Sequence, residues 1–294
     1  MRMFPSEIIS FASKYTLYID CITFSIGLIG NGLNILVFTN LKYFRSNRCG
    51  LYITVESISN FLNQLTYLII TLLTSIYGSI FALYSPGLCR LKYIMTQMTG
   101  IVTFFMICLS AVDQYFSTNY RYNFRQICTQ KLSECLIFTS ICFGIFHSIL
   151  FSMFLGIDPT QGCIIFNSIW VQYATVFFYP VLMGLLPVVI ASSFSLLAYQ
   201  NVRRIIRRQI PIERRRFDRQ ITAMVLLRVV FFVFCTIPYV SFRIYTINTI
   251  VDPTKTFQYA ISRLVQAILI SIFNLNYAVR EFRIKFKEIL LVLD

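Results

Sequence analysis

The sequence predicts an all-α membrane protein: a seven-transmembrane helix bundle with its N-terminus outside and an amphipathic helix at its C-terminal end. Three observations carry this expectation. The 294 residues are 57% hydrophobic and only 13% charged, where a soluble domain carries about 25% charged residues. Charge-free runs at 21–41, 57–89, 93–112, 135–157 and 159–202 each supply the ~20 mostly apolar residues that cross a hydrocarbon core. Positive charge is also one-sided. Of the 26 lysines and arginines, 18 lie in or at the margins of the segments after spans one, three, five and seven. Five (Arg2, Lys14, Arg90, Lys92 and Lys255) lie on the other side, and Arg228, Arg243 and Arg263 fall within spans. Loops rich in Lys and Arg resist translocation, which puts the N-terminus outside and the C-terminus inside.

The spans are assigned at 17–40, 50–76, 88–116, 132–156, 172–201, 218–246 and 256–279, in one domain covering 1–294 without internal repeat or low-complexity segment. The run 159–202 is too long for one span, and Gly162 with the polar stretch to Gln172 supplies an outer loop. Runs 229–242 and 264–279 are short and bounded by Arg228, Arg243 and Arg263. They cross if those arginines snorkel or face the bundle interior. Pro180 and Pro187 in span five and Pro238 in span six each remove a backbone hydrogen bond and predict kinks. The inner loop around 202–217, RRIIRRQIPIERRR, extends helices five and six past the membrane, with Pro211 at the turn. Residues 280–292 place Phe282, Phe286, Ile289 and Leu290 on one helical face, which suits a helix lying in the inner interface.

Composition excludes several classes. A net charge of +14 would suit nucleic acid, but here topology and contact with anionic membrane lipid account for it, so no nucleic-acid partner is expected. Residues 1–16 lack the pattern of a cleavable signal peptide, and span one serves as its own anchor. No metal-spaced Cys/His cluster, nucleotide loop or nucleophile–base pair is present. The chain therefore reads as no enzyme, with no cofactor and no metal. The single histidine, His147, reads as an interhelical hydrogen-bonding residue. Most of the nine cysteines lie in spans or inner loops and behave as small apolar residues. Cys89 and Cys163 face the oxidising side, where a disulfide persists, with Cys21 a weaker third candidate; the alternative is that all remain reduced and buried.

Seven spans, an outer N-terminus and the pair Cys89 and Cys163 resemble a rhodopsin-like G-protein-coupled receptor over nearly the whole chain. Gly30-Asn31 is similar to the Gly-Asn pair of that family's first helix. Cys89 fits the cysteine at the top of helix three, whose inner end reads Asp113-Gln114-Tyr115 where the family has Asp-Arg-Tyr. Pro187 fits the proline of helix five. Phe232, Cys235 and Pro238 in FFVFCTIPY fit helix six, and Glu281-Phe282-Arg283 resembles the start of the eighth helix. The departures are equally specific. Gln114 replaces the arginine of the ionic latch, Thr236 stands where the family has a tryptophan, and Asn60 replaces the helix-two aspartate. IFNLNYAV, with Asn274, Asn276 and Tyr277, lacks the Asn-Pro-x-x-Tyr spacing. Such drift resembles divergent invertebrate orphan, peptide-receptor-like or chemoreceptor-like sequences.

The resemblance implies a plasma-membrane, multi-pass receptor that passes an extracellular peptide or small-molecule signal to heterotrimeric G protein. Asp113, Gln114 and Tyr115 would floor the coupling cleft, and Arg203, Arg204, Arg207, Arg208, Arg214, Arg215 and Arg216 would face the partner or anionic lipid. Asn31, Asn60, Pro187, Phe232, Cys235 and Pro238 would form the structural and switching positions. Span seven holds no lysine for a retinal Schiff base, and Tyr93-Ile94-Met95-Thr96-Gln97 offers no carboxylate for an amine. Lys92, Arg243 and Arg263 could draw an anionic group to an outer cavity lined by Thr96, Gln97, Tyr239 and Phe242. In the alternative reading Arg243 snorkels outward and Arg263 pairs with a residue such as Asp20. Two other classes stay open: a receptor-shaped protein that binds ligand or another receptor without coupling, and a small transporter or channel, for which repeats and broken helices are missing.

Overall fold

Helix, far more than any other element, fills the chain, because a backbone group inside a bilayer has no water to bond and must satisfy itself within its own segment. The computed structural model describes residues 4–40, 48–119, 121–158, 162–206, 212–249 and 256–278. The amphipathic helix expected at 280–292, Pro211, Arg207 and Arg208 lie outside the described residues, as do the side chains of Arg214, Arg215 and Arg216. Span one is Pro5–Asn40, span two Arg48–Tyr84, span three Pro86–Ser117, span four Gln130–Met153, span six Ile212–Asn248 and span seven Thr256–Ala278. Span five is a continuous rod of three pieces, Ser168–Tyr173, Ala174–Leu185 and Leu186–Ile206. A short helix, Tyr122–Ile127, lies between spans three and four. An antiparallel hairpin, β1 (Leu155–Asp158) and β2 (Gly162–Ile165), joins spans four and five.

Local chemistry fixes the helix starts. Pro5 and Pro86 occupy first-turn positions, where the missing N–H costs nothing and the ring preorganises φ. Span one begins twelve residues before its hydropathy boundary, with the Phe4 N–H donating to the Glu7 carboxylate at 3.0 Å. Thr129 caps span four by accepting from the Leu132 N–H, and Asn167 caps span five by accepting from Ile169 and Trp170. The two prolines of span five are absorbed differently. Pro180 sits inside the π-helical piece Ala174–Leu185, where wider turns relieve the ring's clash with the preceding carbonyl. Pro187 is the second residue of the α-helix that follows, where a proline is tolerated.

Six helices are long and apolar enough to cross a membrane among the described residues. Span two carries a run of polar residues in its inner half, Glu56, Ser57, Ser59, Asn60, Asn63 and Gln64, and all six are buried. Two of them, Asn60 and Asn63, bond span three. Thr99 Oγ1 donates to Asn63 Oδ1 at 3.0 Å, and Thr103 Oγ1 to Asn60 Oδ1 at 2.8 Å. Spacings of four and three residues put these groups on facing stripes of the two helices. Span one closes the bundle by packing against both span two and span seven, and Asn31 donates to the Tyr277 carbonyl at 3.0 Å. At Gly27, a Cβ would strike the far end of the Gln64 side chain, so the glycine leaves room for that buried amide.

Span three is the hub, touching spans two, four, five and six and strand β1. Its Phe104 meets Phe232 of span six edge-on, with centroids 4.9 Å apart, and Phe273 of span seven at 6.2 Å. Phe273 stacks on Tyr239 at 4.0 Å and meets Tyr277 at 5.4 Å. This aromatic column occupies the middle of the bundle. Cys235 and Thr236 are buried beside it, whereas Pro238 faces outward. Replacing Thr99 by Val removes the donor to Asn63 while keeping side-chain shape. A loss of about 0.6 kcal/mol is expected, and no more than ~1.7 kcal/mol, the range measured for interhelical bonds in membranes, read by unfolding of the variant in bicelles.

Candidate functional site

Four residues below Cys89 on span three stands Tyr93, and five residues above Pro238 on span six stands Arg243. Their side chains meet inside the outer half of the bundle. Arg243 Nη2 donates to the Tyr93 hydroxyl at 2.8 Å, and Nε to the Tyr179 hydroxyl of span five at 3.2 Å. The guanidinium carbon also lies 5.6 Å from the Tyr179 ring centre, within cation–π range. Tyr67 and Tyr239 are further electrostatic neighbours. Among the described residues Arg243 has no carboxylate partner. Two neutral hydroxyls thus orient a guanidinium that keeps N–H donors in hand.

Below this fork, positions 93, 97, 100 and 104 follow one another at helical spacing on one face of span three. Tyr93 reaches span six, Gly100 looks toward Met183 and Tyr277, and Phe104 meets Phe232 and Phe273. Gln97 shares that inward face. It is 7% exposed, and neither its amide nitrogen nor its oxygen has a protein partner. The Tyr239–Phe273 stack lies one turn below Arg243 on span six. A cationic fork above, an unpartnered amide one turn deeper and an aromatic floor make up the site.

Sequence-predicted residues divide into those that converge here and those that do not. Arg243, Gln97 and Tyr239 converge. Lys92 is an electrostatic neighbour of Arg243 and of Asp20, whose Oδ2 accepts from Thr71 at 2.7 Å. Thr96 spends its hydroxyl on the Lys92 carbonyl at 2.8 Å. Phe242 turns to Tyr245, with ring centroids 6.2 Å apart. Arg263 is exposed, its guanidinium 5.5 Å over the Tyr259 ring, and is not paired with Asp20. Cys89 and Cys163 form a disulfide with Cα atoms 5.8 Å apart, which pins β2 to the outer end of span three. Tyr93 as a holder of Arg243 and Tyr179 altogether were missed from sequence. The legible signal was depth, since Tyr93 and Arg243 lie at similar distances from the outer membrane edge.

At the inner end, the altered triplet has unforeseen partners. The Asp113 carboxylate pairs with Arg48 Nε of span two at 3.1 Å. It also takes a hydrogen bond from the Cys128 thiol, whose pKa is pushed up to about 12 by burial and by Asp113 itself. The thiol therefore keeps its proton. Gln114 Nε2 donates to Thr222 Oγ1 of span six at 2.8 Å, and Tyr115 packs against Phe194 of span five at 5.4 Å. Arg228 of span six pairs with Glu56 of span two. Arg203 and Arg204 are exposed at the inner end of span five, Arg203 lying 5.8 Å over the Tyr199 ring. His147 bonds the Tyr173 hydroxyl at 2.9 Å and stacks on Phe178.

A family model for the seven transmembrane receptor (rhodopsin family) matches residues 30–277, from Gly30 of the Gly-Asn pair to Tyr277 at the inner end of span seven. No curated protein matches the sequence. Replacing Cys163 by Ser frees the hairpin from span three. A stability loss of 2–4 kcal/mol is the usual order for such a bridge, roughly, and a thermal melt of the purified variant against the unreduced protein reads it.

Proposed function

The chain belongs to the rhodopsin family of seven-transmembrane receptors, and from that premise we propose that it is a plasma-membrane receptor whose ligand presents an acidic group to Arg243 and whose inner face engages heterotrimeric G protein. One observation carries the ligand class: Arg243 lies inside the outer half of the bundle, held by Tyr93 and Tyr179, with no carboxylate against it among the described residues. A charge at membrane depth is costly, and where it persists it marks a site. A guanidinium fork suits a carboxylate with two parallel bonds. Each tyrosine oxygen accepts from Arg243 and so keeps its own O–H to donate to the same anion.

Gln97 refines the class. Its amide offers one acceptor and two donors in a nearly closed place, where an unmet amide is penalised and a matching ligand group is rewarded. A ligand with an amide about one helical turn from its acidic group serves both residues, and a peptide has that chemistry. Ligand binding then shifts the population between resting and active helix arrangements, with span six as the moving element and its inner contacts broken on opening. Arg203 and Arg204 supply positive charge beside the cleft, available to the partner or to anionic lipid.

The test is nucleotide exchange on a panel of G proteins, driven by libraries of acidic peptides and small carboxylates on surface-expressed receptor. Truncating one partner of a buried charged contact costs 2–5 kcal/mol, roughly, which is 30-fold or more in affinity. Arg243→Ala should therefore shift the active compound's potency by at least that factor, and Arg263→Ala much less. An unchanged response in the Arg243→Ala/Arg263→Ala double variant removes the acidic-ligand reading. Silence across the panel for both wild type and Gln114→Arg, at normal surface expression, removes coupling to G protein.

A further inference from the structure

The inner half of the bundle contains two buried carboxylates and two arginines that the ligand site does not use. Glu56, four residues inward of Asn60 on span two, is 2% exposed and pairs with Arg228 of span six. Asp113, at the inner end of span three, is 3% exposed and pairs with Arg48 of span two. Gln114, the next residue, is neutral and gives its amide hydrogen to Thr222, six residues inward of Arg228 on span six. Span six is thus fastened at two depths, ionically to span two and by a neutral bond to span three.

We propose that the Glu56–Arg228 pair, seconded by Gln114–Thr222, is the latch that holds span six against the bundle in the resting receptor. Arg48 completes the arrangement by neutralising Asp113 from span two, which leaves position 114 free to be uncharged. The inference rests on the receptor reading above and names the regulation of its cytoplasmic side.

The physics follows from where the charges lie. Two opposite charges in a site shielded from water attract strongly, and removing one of them strands the other. With Glu56 neutralised, the Arg228 guanidinium is better served nearer the aqueous cleft, and an outward swing of span six carries it there. With Arg228 neutralised, the second span loses its ionic hold on the sixth. Either single change favours the open arrangement. A reciprocal exchange of the two charges restores the attraction and with it the closed arrangement. Removing both charges strands neither and keeps the neutral Gln114–Thr222 bond, so the hold weakens without a buried charge to drive it further.

The experiment places spin-labelled noncanonical amino acids at Ala223, exposed on span six, and at Gln130, exposed at the inner start of span four. Distances are measured by electron double resonance on the full chain in nanodiscs without ligand. Wild type should show one short distance. Glu56→Gln and Arg228→Gln should each raise a longer-distance population at least fivefold, and Glu56→Lys combined with Arg228→Glu should return it toward wild type. Should a single variant fail to accumulate, Glu56→Gln/Arg228→Gln carries the test, with a longer-distance population between wild type and the single variants. A distribution unchanged from wild type in these charge-removed variants overturns the latch, as does a charge exchange that restores nothing while the protein melts normally. If the distances shift as expected while no G protein responds to any variant, the latch stands and the coupling reading fails.

Discussion

Water is absent from the middle of a bilayer, so a charge carried there must find its partner within the protein. That constraint organises this bundle. Among the described residues three arginines reach inward, two to carboxylates and one to tyrosines. Arg48 and Arg228 meet the carboxylates of Asp113 and Glu56 on the inner side. Arg243, on the outer side, meets tyrosine hydroxyls and, among the described residues, no carboxylate. Two of the charges are therefore internally neutralised, and the third is oriented and left with capacity for an anion. The same chain uses ion pairs to join helices on the inner side and withholds one at the outer site proposed for the ligand.

Polar seams do for the rest of the bundle what hydrophobic burial does in a soluble core. Lipid tails are as apolar as leucine, so helices gain little by hiding leucine from them, and packing with interhelical hydrogen bonds sets the register. Span two shows this most clearly: two of its buried polar residues bind it to span three, through Asn60–Thr103 and Asn63–Thr99. Span three, joined to span two by that seam and to spans six and seven by Phe104, becomes the fixed reference for the others. His147 plays the same part on a smaller scale, tying span four to span five through Tyr173.

Legibility from sequence follows from the same physics. Hydropathy and charge asymmetry revealed the spans and their direction because both are one-dimensional properties of the chain. The Cys89–Cys163 bridge was legible because both cysteines fall on the oxidising side. Helix lengths were less so: span one begins at Pro5 because a proline and a Glu7 cap start it, and neither alters mean hydropathy. The hairpin β1–β2 was hidden in the stretch read as an outer loop, since four-residue strands leave little periodic trace. Pairings were the hardest. Arg228 has both Asp113 and Glu56 at plausible depth, and only the three-dimensional rotation of spans two and six selects Glu56. For Arg263, position in the outer half suggested a site residue, but rotation of span seven turns it outward onto Tyr259.

Span six ties the two ends of the molecule together. Arg243 and Arg228 are fifteen residues apart on one helix, about 22 Å at 1.5 Å per residue, with Pro238 between them. An anion drawn to Arg243 competes with Tyr93 and Tyr179 for the same guanidinium, so it alters how the outer part of span six is held against spans three and five. A helix transmits such a change because its own hydrogen bonds keep it stiff, except where a proline has removed one. Pro238 is the position where span six can bend, so under the proposed function a small rearrangement near Arg243 would be passed to Arg228 and Thr222. The inner contacts then decide the threshold. A ligand opens the bundle only by the difference in its affinity for the two arrangements, and that difference must exceed what Glu56 and Gln114 hold in place. In the proposed mechanism the charge without an acid partner outside and the charge given one inside would act as two ends of the same lever.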